Sequence, residues 1–266
     1  MKMTFKSFLL CSSILVMTAG GAMAEMTLNR GNNGDPESLD PHKTSTVTEA
    51  NILRDLFSGL VERDAKAELI PGAAESWTVS EDGKVYTFKL RTGAQWSDGS
   101  PVVAEDFVFA WQRVVSPDTA AEYAYMLTPI LNAEEITAGT KNPEELGVKA
   151  IDAGTFEVTL NATTPYFLEM LTHQATYPVS PANVAAFGAD FTKPGNMVSN
   201  GPYMLTEFTP NDHITLTKSP TFYDAANVLI ETVNFYPTED RSAAIDRKST
   251  RLNSSHLDLS RMPSSA

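Results

Sequence analysis

Strand-like and helix-like segments alternate along residues 25–246, with no internal repeat and no low-complexity linker between them. The clearest strand is Val85–Leu90, where apolar and polar side chains alternate, and Asp82-Gly83 marks a hairpin turn between it and Ala73–Val79. Apolar residues at helical spacing predict a helix from about Ala104. This alternation predicts an α/β chain of the mixed α+β kind, with more than one layer.

Weaker patterns of the same kind fill the rest of the chain. Thr48 is the predicted N-cap of a helix that reaches Leu60. Further helices are predicted over 164–171 and 181–187, and further strands over 27–30, 147–151, 155–160, 203–208 and 213–218.

The N-terminus has the three parts of a secretory signal. Lys2 and Lys6 precede the apolar run Phe8–Met17, and small residues follow it up to Ala22-Met23-Ala24. The run is well below the roughly 20 residues that span a bilayer, although a buried N-terminal helix is the alternative. We therefore predict that residues 1–24 are a cleaved signal peptide and that the remainder is exported to the periplasm.

The C-terminus changes composition at residue 247. Residues 247–266 are rich in Ser and Arg and have no helical or strand periodicity. We predict that they are a foreign or disordered tail, with a natural disordered tail as the alternative. His256 in this segment is therefore not expected to be a ligand.

Charge limits the classes of partner. Asp and Glu total 33 and Lys and Arg total 20, which gives a formal net charge of −13. The predicted signal and tail contain six of the basic residues but only one acid, so the part between them is more acidic still. Such a surface repels nucleic acid and anionic lipid, and we predict neither as a partner.

Motifs for catalysis are absent from the sequence. It contains no G-x-S-x-G, H-E-x-x-H, Walker or G-x-G-x-x-G pattern, and its single cysteine lies in the signal. Asp98, Glu105 and Asp106 are close in sequence, but their positions in a turn and at a helix start explain them structurally. We predict a binding protein with no catalytic residue, no metal and no cofactor; a secreted hydrolase and a chaperone-like role are the alternatives.

Eight segments, in order and in register, resemble the oligopeptide-binding proteins of bacterial ABC importers, extracellular solute-binding protein family 5. They are SLDPHK at 38–43, NILRDLFSGLVERD at 51–64, PGAAESW at 71–77, YTFKLR at 86–91, WSDGSPV at 96–102, DFVFAWQR at 106–113, LGVKAID at 146–152 and NGPYML at 200–205. The resemblance implies a type II-like two-lobed periplasmic fold that closes on an extended peptide. It also implies a monomeric receptor that passes short peptides to an inner-membrane permease, with murein peptides or another solute as the alternative ligand.

The resemblance also divides the chain and places contact residues. It implies a first lobe from residues 25–57 and 181–246 and a smaller inserted domain from 58–180. The contact residues it implies are Ser45, Thr46, Val47 and Tyr123, although relatives often carry an acid where this chain has Ser45. Trp96, Asp98, Trp111 and Arg113 are expected to hold the inserted domain together.

Length is the main departure from that family. Its members are roughly twice as long, so the resemblance implies that the opposing lobe is not in this sequence. That lobe would carry the acidic group that pairs with the peptide's N-terminal ammonium. We therefore expect the chain as written to be a fragment that binds peptides weakly or not at all.

Overall fold

The computed structural model describes residues 25–238, and the predicted signal at 1–24 and tail at 247–266 lie outside this range. Its strands are β1 Thr27–Asn32, β2 Val61–Arg63, β3 Leu69–Pro71, β4 Ala74–Val79, β5 Val85–Leu90, β6 Val148–Asp152, β7 Thr155–Thr159, β8 Tyr203–Thr209, β9 His213–Lys218 and β10 Thr232–Pro237. Its α-helices are α1 Val47–Leu56, α2 Ala104–Val115, α3 Ala133–Thr137, α4 Phe167–Met170 and α5 Pro181–Phe187. The predicted mixed α/β class is confirmed.

One four-stranded sheet joins the two ends of the described chain. Its order is β1-β10-β9-β8, with β1 parallel to β10 and the other pairs antiparallel. Thr27 is opposite Thr232, and Asn32 is opposite Pro237. Helix α1 packs against β8, and its buried face consists of apolar side chains such as Ile52, Leu53 and Leu56.

A second four-stranded sheet comes from the middle of the chain. Its order is β4-β5-β7-β6 and every pair is antiparallel. Gly83, at φ 67°, turns the predicted hairpin between β4 and β5, and this conformation favours glycine. Strands β2 and β3 form a separate small hairpin. The division into a first lobe and an inserted domain stays a prediction.

Helix α2 covers the second sheet. It is amphipathic, and its buried face includes Phe107 and Trp111. Their rings lie 5.7 Å and 5.0 Å from the ring of Phe156 on β7, and the Trp111 ring meets Phe156 edge-on. Packed aromatic side chains of this size dominate the burial energy of a small core. The second sheet and α2 therefore form one packed α/β layer pair.

Two predicted boundaries of α1 are wrong. The N-cap is Thr46, not Thr48, because the Glu49 carboxylate accepts a hydrogen bond from the Thr46 backbone N–H at 2.8 Å. The helix ends at Leu56, four residues before the predicted end, because the backbone of Phe57 is extended, and the free Leu56 carbonyl accepts from the Gly201 N–H at 2.9 Å. The predicted helix over 164–171 is likewise reduced to α4.

Candidate functional site

The loop before α1 has a polar buried base. Asp40, His42 and Thr44 are 5%, 1% and 3% exposed, and Leu39 beside them is buried too. The Asp40 carboxylate accepts from the His42 N–H at 3.0 Å, and the Asp40 carbonyl accepts from Lys43. Buried polar groups are tolerated only when they are hydrogen-bonded, so this loop needs partners elsewhere in the chain.

Arg113 on α2 is the main partner of this loop. Its Nη1 donates to Asp40 Oδ1 at 3.0 Å and its Nη2 to Asp40 Oδ2 at 2.6 Å, which is a two-point, charge-assisted contact. The two side chains are only 15% and 7% exposed. Burial by itself raises the pKa of Asp40, but the Arg113 hydrogen bond and the nearby positive charge hold it below its ordinary value.

Arg113 therefore corrects one expectation from the sequence. It was expected to hold the inserted domain together, but its guanidinium leaves α2 and binds the segment before α1. Trp96 and Trp111 do bond within residues 58–180, to the Asp106 carboxylate at 3.0 Å and to the Thr176 carbonyl at 2.9 Å. The exposed Asp98 accepts from the backbone N–H of Ser100 at 2.9 Å, as a turn residue does.

His42 connects Arg113 to the segment before α5. Its Nδ1 lies 2.7 Å from Arg113 Nη1 and its Nε2 lies 3.0 Å from the Tyr177 carbonyl oxygen. Since a guanidinium can only donate, Nδ1 accepts and Nε2 carries the proton. Burial lowers the pKa of His42 to about 4, even though the charge of Asp40 opposes this shift. The imidazole is therefore neutral in this contact near pH 7.

Two of the predicted contact residues meet directly. The Tyr123 hydroxyl donates to the Ser45 carbonyl oxygen at 3.2 Å. Thr46 and Val47 follow at the start of α1, where Val47 is 65% exposed. The structure therefore brings the segment 45–47 and Tyr123 together on one accessible surface, although their binding role stays a prediction.

His173 is a neighbour of this surface that sequence reasoning missed. Its ring lies 4.5 Å from the Tyr123 ring, and its Nδ1 accepts from the Ala175 N–H at 3.2 Å. Burial, and then the charge of Arg54, lower the pKa of His173. Its isolated position in the sequence gave no signal that it would lie beside Tyr123.

A cavity of about 560 Å³ begins at His173 and extends towards α1 and β2. Its walls include Arg54, Phe57, Met126 and Tyr177, together with further acidic and basic side chains. The many charged groups in its lining suit a hydrated pocket better than the mostly apolar pocket that is typical of small molecules. It adjoins the surface formed by Tyr123 and residues 45–47.

Two of the three carboxylates considered for catalysis, Asp98 and Asp106, hold a turn and a helix end. Asp106 accepts from the Val103 N–H at 2.9 Å at the start of α2, and burial raises its pKa. Among residues 25–238, no group of three or more His, Cys, Asp or Glu side chains is arranged to hold a metal ion. Over the same range, no helix is long and apolar enough to cross a membrane.

Comparison with known protein families identifies the chain. The model of bacterial extracellular solute-binding proteins, family 5 (middle region), matches residues 68–252. The chain belongs to this family. Family 5 proteins among its curated relatives include the periplasmic oligopeptide-binding protein OppA of Escherichia coli K12, which is 46% identical over 232 residues. The periplasmic murein peptide-binding protein MppA of the same organism is 40% identical over 247 residues.

Solved structures of family 5 proteins share the fold. Haemophilus influenzae OppA in complex with the peptide RPPGFSPFR superposes with a TM-score of 0.83 at 40% identity, over 85% of this chain and 45% of that one. Unliganded, open MppA gives the same TM-score at 39% identity. The matches to the two curated relatives, OppA and MppA of E. coli, include 86% and 90% of this chain. They include only 42% and 46% of the relatives' own length.

Proposed function

We propose that this chain forms one wall of a peptide-binding cleft in an exported receptor that delivers short peptides to an ABC importer. The observation that carries the proposal is the hydrogen bond from Tyr123 to the Ser45 carbonyl, since it joins the two segments implied as peptide contacts. The bound nonapeptide in the H. influenzae relative and the names of the E. coli relatives support peptides as the ligand class.

The physical basis of such recognition is the peptide main chain. An extended peptide offers the same N–H and C=O groups whatever its side chains, and a receptor can bind these like an added strand. Water in roomy pockets can satisfy polar side chains without dedicated partners. The cavity beside His173 is a candidate for such a pocket.

The remaining features of the receptor are part of the same proposal. We infer a first lobe from residues 25–57 and 181–246 and an inserted domain from 58–180, supported by the separate origins of the two four-stranded sheets. Periplasmic relatives and the predicted signal support export. We also propose a monomer that docks on an inner-membrane permease. Murein peptides are a second candidate ligand, because the relative MppA is a murein peptide-binding protein.

Replacing Tyr123 tests the proposed contact. We expect Tyr123→Ala to weaken binding of trialanine about tenfold or more, because it removes an aromatic contact and frees the Ser45 carbonyl. Equilibrium dialysis of the labelled peptide against the full chain measures this.

Tyr166→Ala is the matched control, since Tyr166 is 61% exposed and lies outside the Tyr123 surface. It should leave binding unchanged. Equal effects of the two substitutions, or saturable binding that neither affects, would contradict the proposed site. Competition with a murein tripeptide separates the two candidate ligands.

A further inference from the structure

The segment that carries residues 45–47 has Pro41 as its one buried apolar side chain. Between Leu39 and Ala50, the buried side chains are Pro41 and the polar Asp40, His42, Thr44 and Glu49. Residues 45–47 themselves are exposed. The conformation of this segment therefore depends on hydrogen bonds, because hydrophobic packing supplies little to fix it.

Three attachments hold the segment, and each reaches a different part of the chain. Arg113 on α2 binds Asp40, His42 binds the Tyr177 carbonyl, and Tyr123 binds the Ser45 carbonyl. Two of these attachments are coupled, because one Arg113 nitrogen lies within hydrogen-bond distance of both Asp40 and His42.

His42 is the central member because it must accept and donate at once. Its Nδ1 accepts from Arg113 while its Nε2–H donates to Tyr177. Asparagine can reproduce an acceptor near the Nδ1 position but does not reach Tyr177. Glutamine can reproduce the donor near Nε2 but does not supply the acceptor for Arg113. The two replacements therefore break different halves of the same connection.

We propose that Asp40, His42 and Arg113 are positioning residues that fix the backbone of residues 43–47 in the conformation presented to a peptide. They contact no ligand themselves and act through the loop. That the loop is a peptide contact rests on the proposed function, whereas its dependence on the three buried side chains does not.

Amide hydrogen exchange of the full chain tests this inference without any ligand. We expect His42→Ala to speed exchange about tenfold or more at the two hydrogen-bonded amides of this segment, those of Lys43 and Thr46, because it leaves a buried donor and acceptor unpaired. Amides in β5 and β7 should change much less. Arg113→Lys keeps the charge but loses the two-point contact with Asp40. It should therefore speed amide exchange at the same residues as His42→Ala.

Conservative replacements and a control make the result specific. His42→Gln and His42→Asn should each restore part of the protection that His42→Ala removes. Trp96→Phe breaks a buried hydrogen bond elsewhere, to Asp106, and should not single out residues 43–47. If His42→Ala fails to fold, Arg113→Lys and His42→Gln carry the test.

Two results would overturn the inference. One is unchanged exchange at 43–47 in both His42→Gln and Arg113→Lys, and the other is an equal rise throughout β5, β7 and the loop. Trialanine binding is measured in parallel and should weaken with the loss of loop protection. If exchange responds as expected but trialanine binds equally well to the variants and to the unmodified chain, the positioning role stands and the proposed function fails.

Discussion

His42 illustrates how one buried side chain couples the fold to pH. Its pKa in the folded chain is about 4, below its ordinary 6.5, because burial disfavours the charged ring. Between these values the unfolded chain binds a proton that the folded chain excludes. The contribution of His42 to stability is therefore complete above about pH 6.5 and declines as the pH falls towards 4.

The expected size of this loss is about 3 kcal/mol between pH 7 and pH 4. Other groups titrate in the same range, and burial raises the pKa of Asp55 to about 6, which acts in the opposite direction. Comparison with His42→Gln cancels these shared contributions. We expect the stability advantage of the unmodified chain over the variant to shrink by that amount, as measured by urea unfolding at both pH values. A difference that stays constant with pH would show that His42 titrates normally.

At the residue scale, the sequence predicted which residues belong to the candidate site better than it predicted which residues they contact. Ser45 and Tyr123 came from the family resemblance, and their meeting across 78 positions appears only in three dimensions. Arg113 and His42 each belonged to a recognised motif. Nothing in either motif indicated that a helix residue would reach a loop 71 positions away.

At the scale of elements, local patterns predicted the interiors well and the ends less well. Helix α2 and strand β5 follow from apolar spacing within their own residues, because one face of each is buried. The end of α1 does not, since its last carbonyl is bonded by Gly201, a residue 145 positions later in the sequence. Strand β10 was missed; its parallel partner β1 lies about 200 residues away in sequence.

The close approach at the end of α1 makes a testable prediction. A Cβ on Gly201 would lie 2.5 Å from the Leu56 carbonyl carbon and 2.6 Å from the Phe57 nitrogen, both of which are backbone atoms. We expect Gly201→Ala to lower the free energy of unfolding by about 2–3 kcal/mol, because the backbone must move to accept it.

Gly34→Ala is the matched control for this substitution. A Cβ at Gly34 has no neighbour within 4 Å, so the change should stay within about 0.5 kcal/mol of the unmodified chain. Urea unfolding measures both variants. Equal stabilities of the two would mean that residues 199–201 do not pack on α1 as described.

At the scale of the whole molecule, loops tie the two sheets together through buried polar contacts. Asn200 bonds both the N–H and the carbonyl of Ser58, at 3.0 Å and 2.9 Å. The Ser97 N–H donates to the Ser199 carbonyl at 2.7 Å. These contacts join the segment before β8 to the chain that leads into and out of the second sheet.

Chemical-shift mapping by NMR tests the central claim most directly, because it detects weak binding residue by residue. Trialanine is titrated into the isotope-labelled chain to millimolar concentration. We predict the largest shifts at the amides of Ser45, Thr46, Val47 and Tyr123, with smaller ones at His173. Shifts at other surfaces with none at these residues would contradict the assignment of this surface as one wall of a peptide-binding cleft.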